Sequence, residues 1–322
     1  MKAIRVHQTG GPEVLKWEEA ETPHPKPGEA LVRHKAVGLN YIDTYFRTGL
    51  YKAPLPFIPG NEAMGVVEEV GEGVTGFAAG DRVAYVAPLG AYAEMRAVPV
   101  DRLVKLPDTI DDALAASIML KGMTARYLVR KTFPVAAGQT ILFHAAAGGV
   151  GTIACQWAKH LGATVIGTAG GEEKVRLARE NGCDHVIDYK RENFAERVKE
   201  ITGGKGCDVV YDSVGRDTFP GSLDCLKPLG MWVTFGQSSG SLPPLDTSML
   251  AQKGSLFVTR PTLVTYTATR AQIEETAADL FGVLASGAVK VRIDQTFPLS
   301  EAAEAHRALE GRRTTGATVL LP

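Results

Sequence analysis

The run His144-Ala145-Ala146-Ala147-Gly148-Gly149-Val150-Gly151 decides the fold. Its first residue closes a short buried strand, Thr140 to His144, and its glycines open a helix, Gly149 to His160. That is the setting a dinucleotide-binding turn requires. Against the pattern G-x-G-x-x-G, Ala146 stands at the first glycine, Gly148 at the second and Gly151 at the third. Gly148 lets the backbone approach a pyrophosphate, and Gly151 lets the helix pack closely on the strand. The first helical turn adds unpaired N–H groups and a partial positive charge, which favour an anion.

Outward from this turn the chain alternates strand and helix. Thr164 to Thr168 reads as a strand, Glu172 to Asn181 as a helix, His185 to Asp188 as a strand and Glu192 to Ile201 as a helix. Strands follow at Asp208 to Asp212 and Met231 to Phe235. Units of this length need a parallel sheet with helices on both faces, and right-handed crossovers make it a doubly wound α/β fold. The alternation begins near residue 122 and ends near residue 260.

The second strand ends in Gly167-Thr168-Ala169-Gly170-Gly171, where an NAD enzyme would carry Asp or Glu for the ribose 2′-hydroxyl. Small residues stand there instead, and Lys174 follows in the next turn. This favours a 2′-phosphate, hence NADPH. Glu172 and Glu173 read as ordinary first-turn acids of a helix.

The first third is β-rich: Ala30 to Ala36, Met64 to Val70, Arg82 to Val86 and Tyr92 to Val98 are short apolar or alternating runs between Gly and Pro turns. No Cys occurs before Cys155, and none of His7, His24, His34 and His144 has a partner at ligand spacing, so no zinc site is expected. The stretch Asn40-Tyr41-Ile42-Asp43-Thr44-Tyr45-Phe46-Arg47, with Tyr51, reads in two ways. It is either a pocket wall that stacks on a flat ring or a loop of buried aromatics and surface charges. After residue 260 come a helix, Arg270 to Ser286, and a closing strand, Gly316 to Leu321, expected to return to the first domain.

Composition narrows the classes. With 322 residues, about two domains are expected. Thirty-five Lys and Arg against 36 Asp and Glu give a net charge of −1, which argues against nucleic acid as the main partner. Four cysteines without a Cys-x-x-Cys pair fit a reduced, cytoplasmic protein. The most apolar stretch, Ile141 to Trp157, is broken by His144, Gln156 and three glycines and makes a poor membrane span.

In this order, several motifs make the chain resemble the zinc-free NADPH:quinone oxidoreductases, the ζ-crystallin-like branch of the medium-chain dehydrogenase/reductase superfamily. They are Gly11-Pro12-Glu13-Val14-Leu15, Asn40 to Tyr45, Gly80-Asp81-Arg82-Val83, Lys121-Gly122-Met123-Thr124-Ala125, Phe143 to Gly151, Tyr211 to Gly215 and Gly254 to Pro261. The resemblance implies a β-rich GroES-like substrate domain from residues 1–121 and 261–322, a Rossmann domain from residues 122–260, and a homodimer. Zinc-dependent relatives carry Cys and His at the positions of Asn40 and Asn61. It further implies Asn40 and Thr124 at the nicotinamide, and Ala147, Gly148, Gly149 and Val150 at the pyrophosphate. Gly170, Lys174 and Tyr189 match the 2′-phosphate group. Ser213, Phe235, Gly236, Ser238, Ser239, Phe257 and Val258 fall around the nicotinamide, the last two also at a dimer edge. Asn40, Ile42, Asp43, Tyr45 and Tyr51 match the substrate pocket, with water or Tyr45 as proton donor. The implied reaction is metal-free transfer of a hydride, or of electrons, from NADPH to a quinone. Reduction of activated C=C bonds in alkenals or enones, and an RNA-binding or structural role, are the rival readings.

Overall fold

Gly- and Pro-rich turns cut the first hundred residues into short strands, as the sequence suggests. The computed structural model describes residues 1–322. In chain order come β1 (Lys2–Val6), β2 (Leu15–Glu19), β3 (Glu29–Gly38), α1 (Tyr41–Thr48), β4 (Glu62–Val70), β5 (Arg82–Val86), β6 (Met95–Pro99), β7 (Leu103–Lys105) and α2 (Asp112–Tyr127). The alternating stretch follows: β8 (Thr140–Phe143), α3 (Gly149–His160), β9 (Thr164–Ala169), α4 (Glu172–Glu180), β10 (His185–Asp188), α5 (Phe194–Ile201), β11 (Cys207–Asp212), α6 (Gly221–Asp224), β12 (Leu226–Thr234), α7 (Ser248–Gln252), β13 (Phe257–Thr259) and α8 (Leu263–Tyr266). The chain closes with α9 (Arg270–Ala285), β14 (Ile293–Pro298), α10 (Ala302–Glu310) and β15 (Ala317–Leu321).

Two compact units result: residues 1–121, 269–277 and 291–322 form one, residues 122–268 and 278–290 the other. The sequence places the changeover at residue 261. The structure keeps 261–268 and 278–290 with the second unit; α9 contributes its first half to one unit and its second half to the other. A change inside a continuous helix leaves no break in composition to read.

The first unit is built on a sheet of order β14-β15-β3-β4-β5-β7, with β6 also paired to β3, and a separate β1-β2 pair. Most neighbours are antiparallel, and β15 returns to pair Val319 and Leu320 with Gly38 and Val37. Its core includes Ile4, Val32, Val37, Tyr85, Tyr92, Leu299 and Leu320.

The second unit carries a six-stranded parallel sheet of order β10-β9-β8-β11-β12-β13. This is the doubly wound order 3-2-1-4-5-6, whose ligand crevice lies outside the carboxyl ends of the strands where the order reverses. Here that point lies between β8 and β11. Leu142, Ile166, Ile187, Val198, Val210 and Trp232 fill part of its core.

Candidate active site

At the end of β8 the backbone N–H of His144 donates to the Tyr211 carbonyl at 2.9 Å, and the chain then turns sharply into α3. No side chain caps that helix, so its first N–H groups are left for a ligand. A Cβ on Gly151 would stand 2.5 Å from the Ala145 carbonyl oxygen and 2.7 Å from that of Ala146, so only glycine allows this approach. The turn is tied beneath by the buried His144, which bonds Thr168 Oγ1 at 3.0 Å and Ser222 Oγ at 3.1 Å. Burial holds its imidazole below the ordinary range, hence neutral.

The ends of β9 and β10 meet beside this turn. A Cβ on Gly170 would lie 2.5 Å from the Tyr189 hydroxyl, so glycine keeps the space for that ring. Tyr189 is exposed, and Lys174 stands in the first turn of α4. Beyond β11 and β12, two loops are laced together. Ser238 and Ser239 donate backbone N–H groups to the carbonyls of Ser213 and Val214 at 3.1 and 2.9 Å. Arg260 Nη1 donates to the Thr234 and Gly236 carbonyls, each at 3.0 Å. The buried Asp212 carboxylate anchors the first loop, accepting from the backbone of Val214 and Gly215 and from Thr218, Ser222 and Trp232.

The structure therefore gathers Ala147, Gly148, Gly149, Val150, Gly170, Lys174, Tyr189, Ser213, Phe235, Gly236, Ser238 and Ser239 at the carboxyl ends of one sheet. Phe257 and Val258 lie on the edge strand β13, and Thr124 is buried in α2. These residues fit a phosphorylated dinucleotide: a turn with no room for a side chain at Gly151, open N–H groups, and a lysine and a tyrosine beyond the ends of β9 and β10.

In the first unit, Asn40 to Arg47 form the cap and body of α1. Tyr45 packs edge-on against Tyr41 and Tyr51, with ring centroids 5.6 and 5.2 Å apart. Asn40 is buried, and its Nδ2 donates to Glu62 Oε1 at 2.8 Å and to the Gly38 carbonyl at 3.4 Å. Glu62 also accepts from Lys121 Nζ and from the Leu120 backbone. Asp43 is turned fully inward, where its Oδ2 accepts from the Asn40 N–H and the Tyr92 hydroxyl. It therefore presents no surface to a substrate. Burial pushes its carboxyl up to about 7.

Sequence reasoning missed Glu62, Lys121, Tyr92, His144 and Arg260 as supports of this chemistry. Lys121, His144 and Arg260 do lie within motifs that carry the resemblance, but nothing local marks them as supports.

No three His, Cys, Asp or Glu side chains come together to hold a metal. Nor do the residues at the expected place fit one. Asn40 and Asn61 offer neutral amides, and the nearby carboxylate, Glu62, is already matched by an ammonium.

Family models agree with this architecture. Residues 26–108 match the alcohol dehydrogenase GroES-like domain and residues 149–281 the zinc-binding dehydrogenase model. A quinone oxidoreductase of Pseudomonas aeruginosa is 53% identical, across 100% of this chain and 99% of its own. A 2-haloacrylate reductase of a Burkholderia species is 48% identical, across 99% and 98%. The crystal structure of Escherichia coli quinone oxidoreductase complexed with NADPH superposes with a TM-score of 0.98 at 48% identity, covering 100% of both chains.

Proposed function

Because the chain belongs to the zinc-free quinone oxidoreductases of the medium-chain dehydrogenase/reductase superfamily, we propose that it reduces quinones with NADPH. One observation carries the reading: kinship with proteins named quinone oxidoreductase runs through the whole chain at about half identity. The glycine-only approach at Gly151 and the Gly170–Tyr189 corner support the cofactor half of it.

When bound, NADPH supplies a hydride from C4 of its nicotinamide. The N–H groups of Gly149, Val150 and Gly151 receive the pyrophosphate, with Ala147 and Gly148 completing the turn. Lys174 and Tyr189 receive the 2′-phosphate, and Gly170 leaves room for it. Thr124, Ser213, Phe235, Gly236, Ser238, Ser239, Phe257 and Val258 shape the nicotinamide surroundings. Asn40, its amide orientation fixed by Glu62, is the polar contact to substrate and nicotinamide. Tyr51 and Ile42, with the small exposed part of Tyr45, offer aromatic and apolar surface to a flat acceptor. The hydroquinone oxygen takes its proton from water or from Tyr45.

The substrate domain comprises both chain ends and the dinucleotide domain the middle. The chain acts as a homodimer, paired along β13, an unpaired sheet edge whose Phe257 is 56% exposed. No helix is long and apolar enough to cross a membrane, and all four cysteines are unpaired, which fits the cytoplasm.

Kinship with the 2-haloacrylate reductase favours a second reading, reduction of an activated C=C bond. Steady-state turnover with NADPH over a panel of quinones, enones and haloacrylates separates them. The highest kcat/KM is expected for a quinone; a panel led by an alkene acceptor overturns the first reading in favour of the second.

A further inference from the structure

Buried side chains of the first unit form a hydrogen-bonded line with a fixed polarity. Arg47, on α1, is 1% exposed although it carries a full charge. Its Nε donates to the Gly10 carbonyl at 3.1 Å, and Nη1 and Nη2 grip Glu310 of α10 at 2.9 and 2.6 Å. Nη1 also meets His306 Nδ1 at 3.1 Å. A guanidinium only donates, so Nδ1 accepts and the imidazole proton sits on Nε2. His306 Nε2 therefore donates to the Tyr92 hydroxyl at 3.1 Å. Tyr92 has one proton to give, and it goes to Asp43 Oδ2 at 2.9 Å. That same oxygen takes the backbone N–H of Asn40 at 2.9 Å.

The line starts on a group that does not release protons, so it orients and does not conduct. Around its far end, Glu62 of β4 opposes the charge on Asp43 and Lys121 of α2 supports it. Asp43 Oδ1 is sealed from solvent and has no partner, which leaves one oxygen open to a proton.

We propose that His306 and Tyr92 are positioning residues that act through Asp43 to set the backbone at Asn40, and that proton uptake by Asp43 loosens this hold. The inference rests on the reading of Asn40 as a substrate and nicotinamide contact. Ionised, Asp43 accepts two charge-assisted bonds at one oxygen; neutral, it keeps only ordinary ones, roughly half as strong. Because burial pushes the carboxyl up to about 7, the change falls near neutrality.

Carboxyl ¹³C NMR of the wild type, with Asp43→Asn as the blank, reads the Asp43 titration without any turnover. A carboxyl titrating near neutrality is expected, moved upward by about one unit in Tyr92→Phe, which removes a donor to the charged form. Kinetics supply the second readout. Quinone kcat is expected to fall about tenfold in His306→Leu with the NADPH KM unchanged, and to recover in His306→Gln, whose amide can both accept from Arg47 and donate to Tyr92. An Asp43 titration at the ordinary carboxylate range, or one unmoved by Tyr92→Phe, overturns the proposal. So does a His306→Gln variant as slow as His306→Leu when both melt like the wild type. Asn40→Ala separates the two readings. Unchanged turnover in that variant, with the Tyr92→Phe shift present, rejects Asn40 as a contact and the positioning role with it. Impaired turnover without the shift rejects the line alone.

Discussion

Lys121 Nζ lies 2.9 Å from Glu62 Oε1, with the two side chains 8% and 0% exposed. Removing one member of a buried pair leaves the other charge uncompensated, at a cost of about 3–5 kcal/mol. Lys121→Met is therefore expected to lower the melting temperature by roughly 4–8 °C, at ~1.5 °C per kcal/mol for a chain of this length. Glu62→Gln combined with Lys121→Met should regain most of the loss. Calorimetry of the three variants checks this; a double variant as unstable as Lys121→Met alone contradicts it.

Cofactor choice is expected to rest on α4 and the end of β9. Lys174→Ala should weaken NADPH binding by about one to two orders of magnitude, the worth of a charge-assisted hydrogen bond. NADH lacks the phosphate, so its affinity should barely move. Gly170→Ala should act in the same direction, because its Cβ would displace the Tyr189 hydroxyl from 2.5 Å. Fluorescence titration with both cofactors is the measurement, and parallel losses for NADPH and NADH would remove Lys174 from the phosphate site.

Tyr45 is packed between Tyr41 and Tyr51, so truncation to alanine mixes two effects. Losing a buried ring costs about 3–5 kcal/mol of stability by itself. Tyr45→Phe keeps the packing and removes only the hydroxyl. If Tyr45 supplies the proton, Tyr45→Phe lowers quinone kcat by about 10²-fold or more with the NADPH KM unchanged. Wild-type kcat in Tyr45→Phe leaves water as the donor.

Stability is expected to fall on the acid side of neutrality. Burial holds His34 down to about 4 and His306 to about 3, below the ordinary histidine value near 6.5, so both fold in the neutral form. Their contribution is complete above pH ~6.5 and is lost as acid charges them in the unfolded chain first. His144 acts in the same direction. Asp43 works oppositely: its folded value of about 7 lies above the unfolded one, so the fold gains as pH drops from 7 toward ~4. Between pH ~6.5 and ~4, His34 and His306 outweigh one Asp, a net loss of about 1.4 kcal/mol per pH unit before His144 is added. Melting curves from pH 7 to pH 5 should show the decline, and Asp43→Asn should steepen it. A flat profile is the contrary result.

The doubly wound half was legible because its signals are local. Gly148 and Gly151 stand where a strand meets a helix, and β8 to β11 each show as a short apolar run between turns, whereas β12 shows only from Met231 because Lys227, Pro228 and Gly230 break its first half. Helix α2 escaped notice because its middle is buried on all sides, which leaves no apolar stripe to read. Arg47 could be read as a surface charge because its partners, His306 and Glu310, lie 259 and 263 residues away. Tyr92 and Asp43 are likewise 49 residues apart. Such pairings depend on a finished sheet, and no window of sequence contains them.

The same long reach bears on how the polypeptide matures on the ribosome. Residues 122–268 make up most of the second unit, so most of that unit can fold while the rest of the chain is still being made. The first unit must wait. At about 5–20 residues per second, the 259 residues between Arg47 and His306 correspond to roughly 13–50 s. Throughout that interval β3 lacks β15, and the guanidinium destined for the interior stays hydrated. The nascent amino-terminal segment is thus the stretch most exposed to chaperones and proteases, although it is synthesised first.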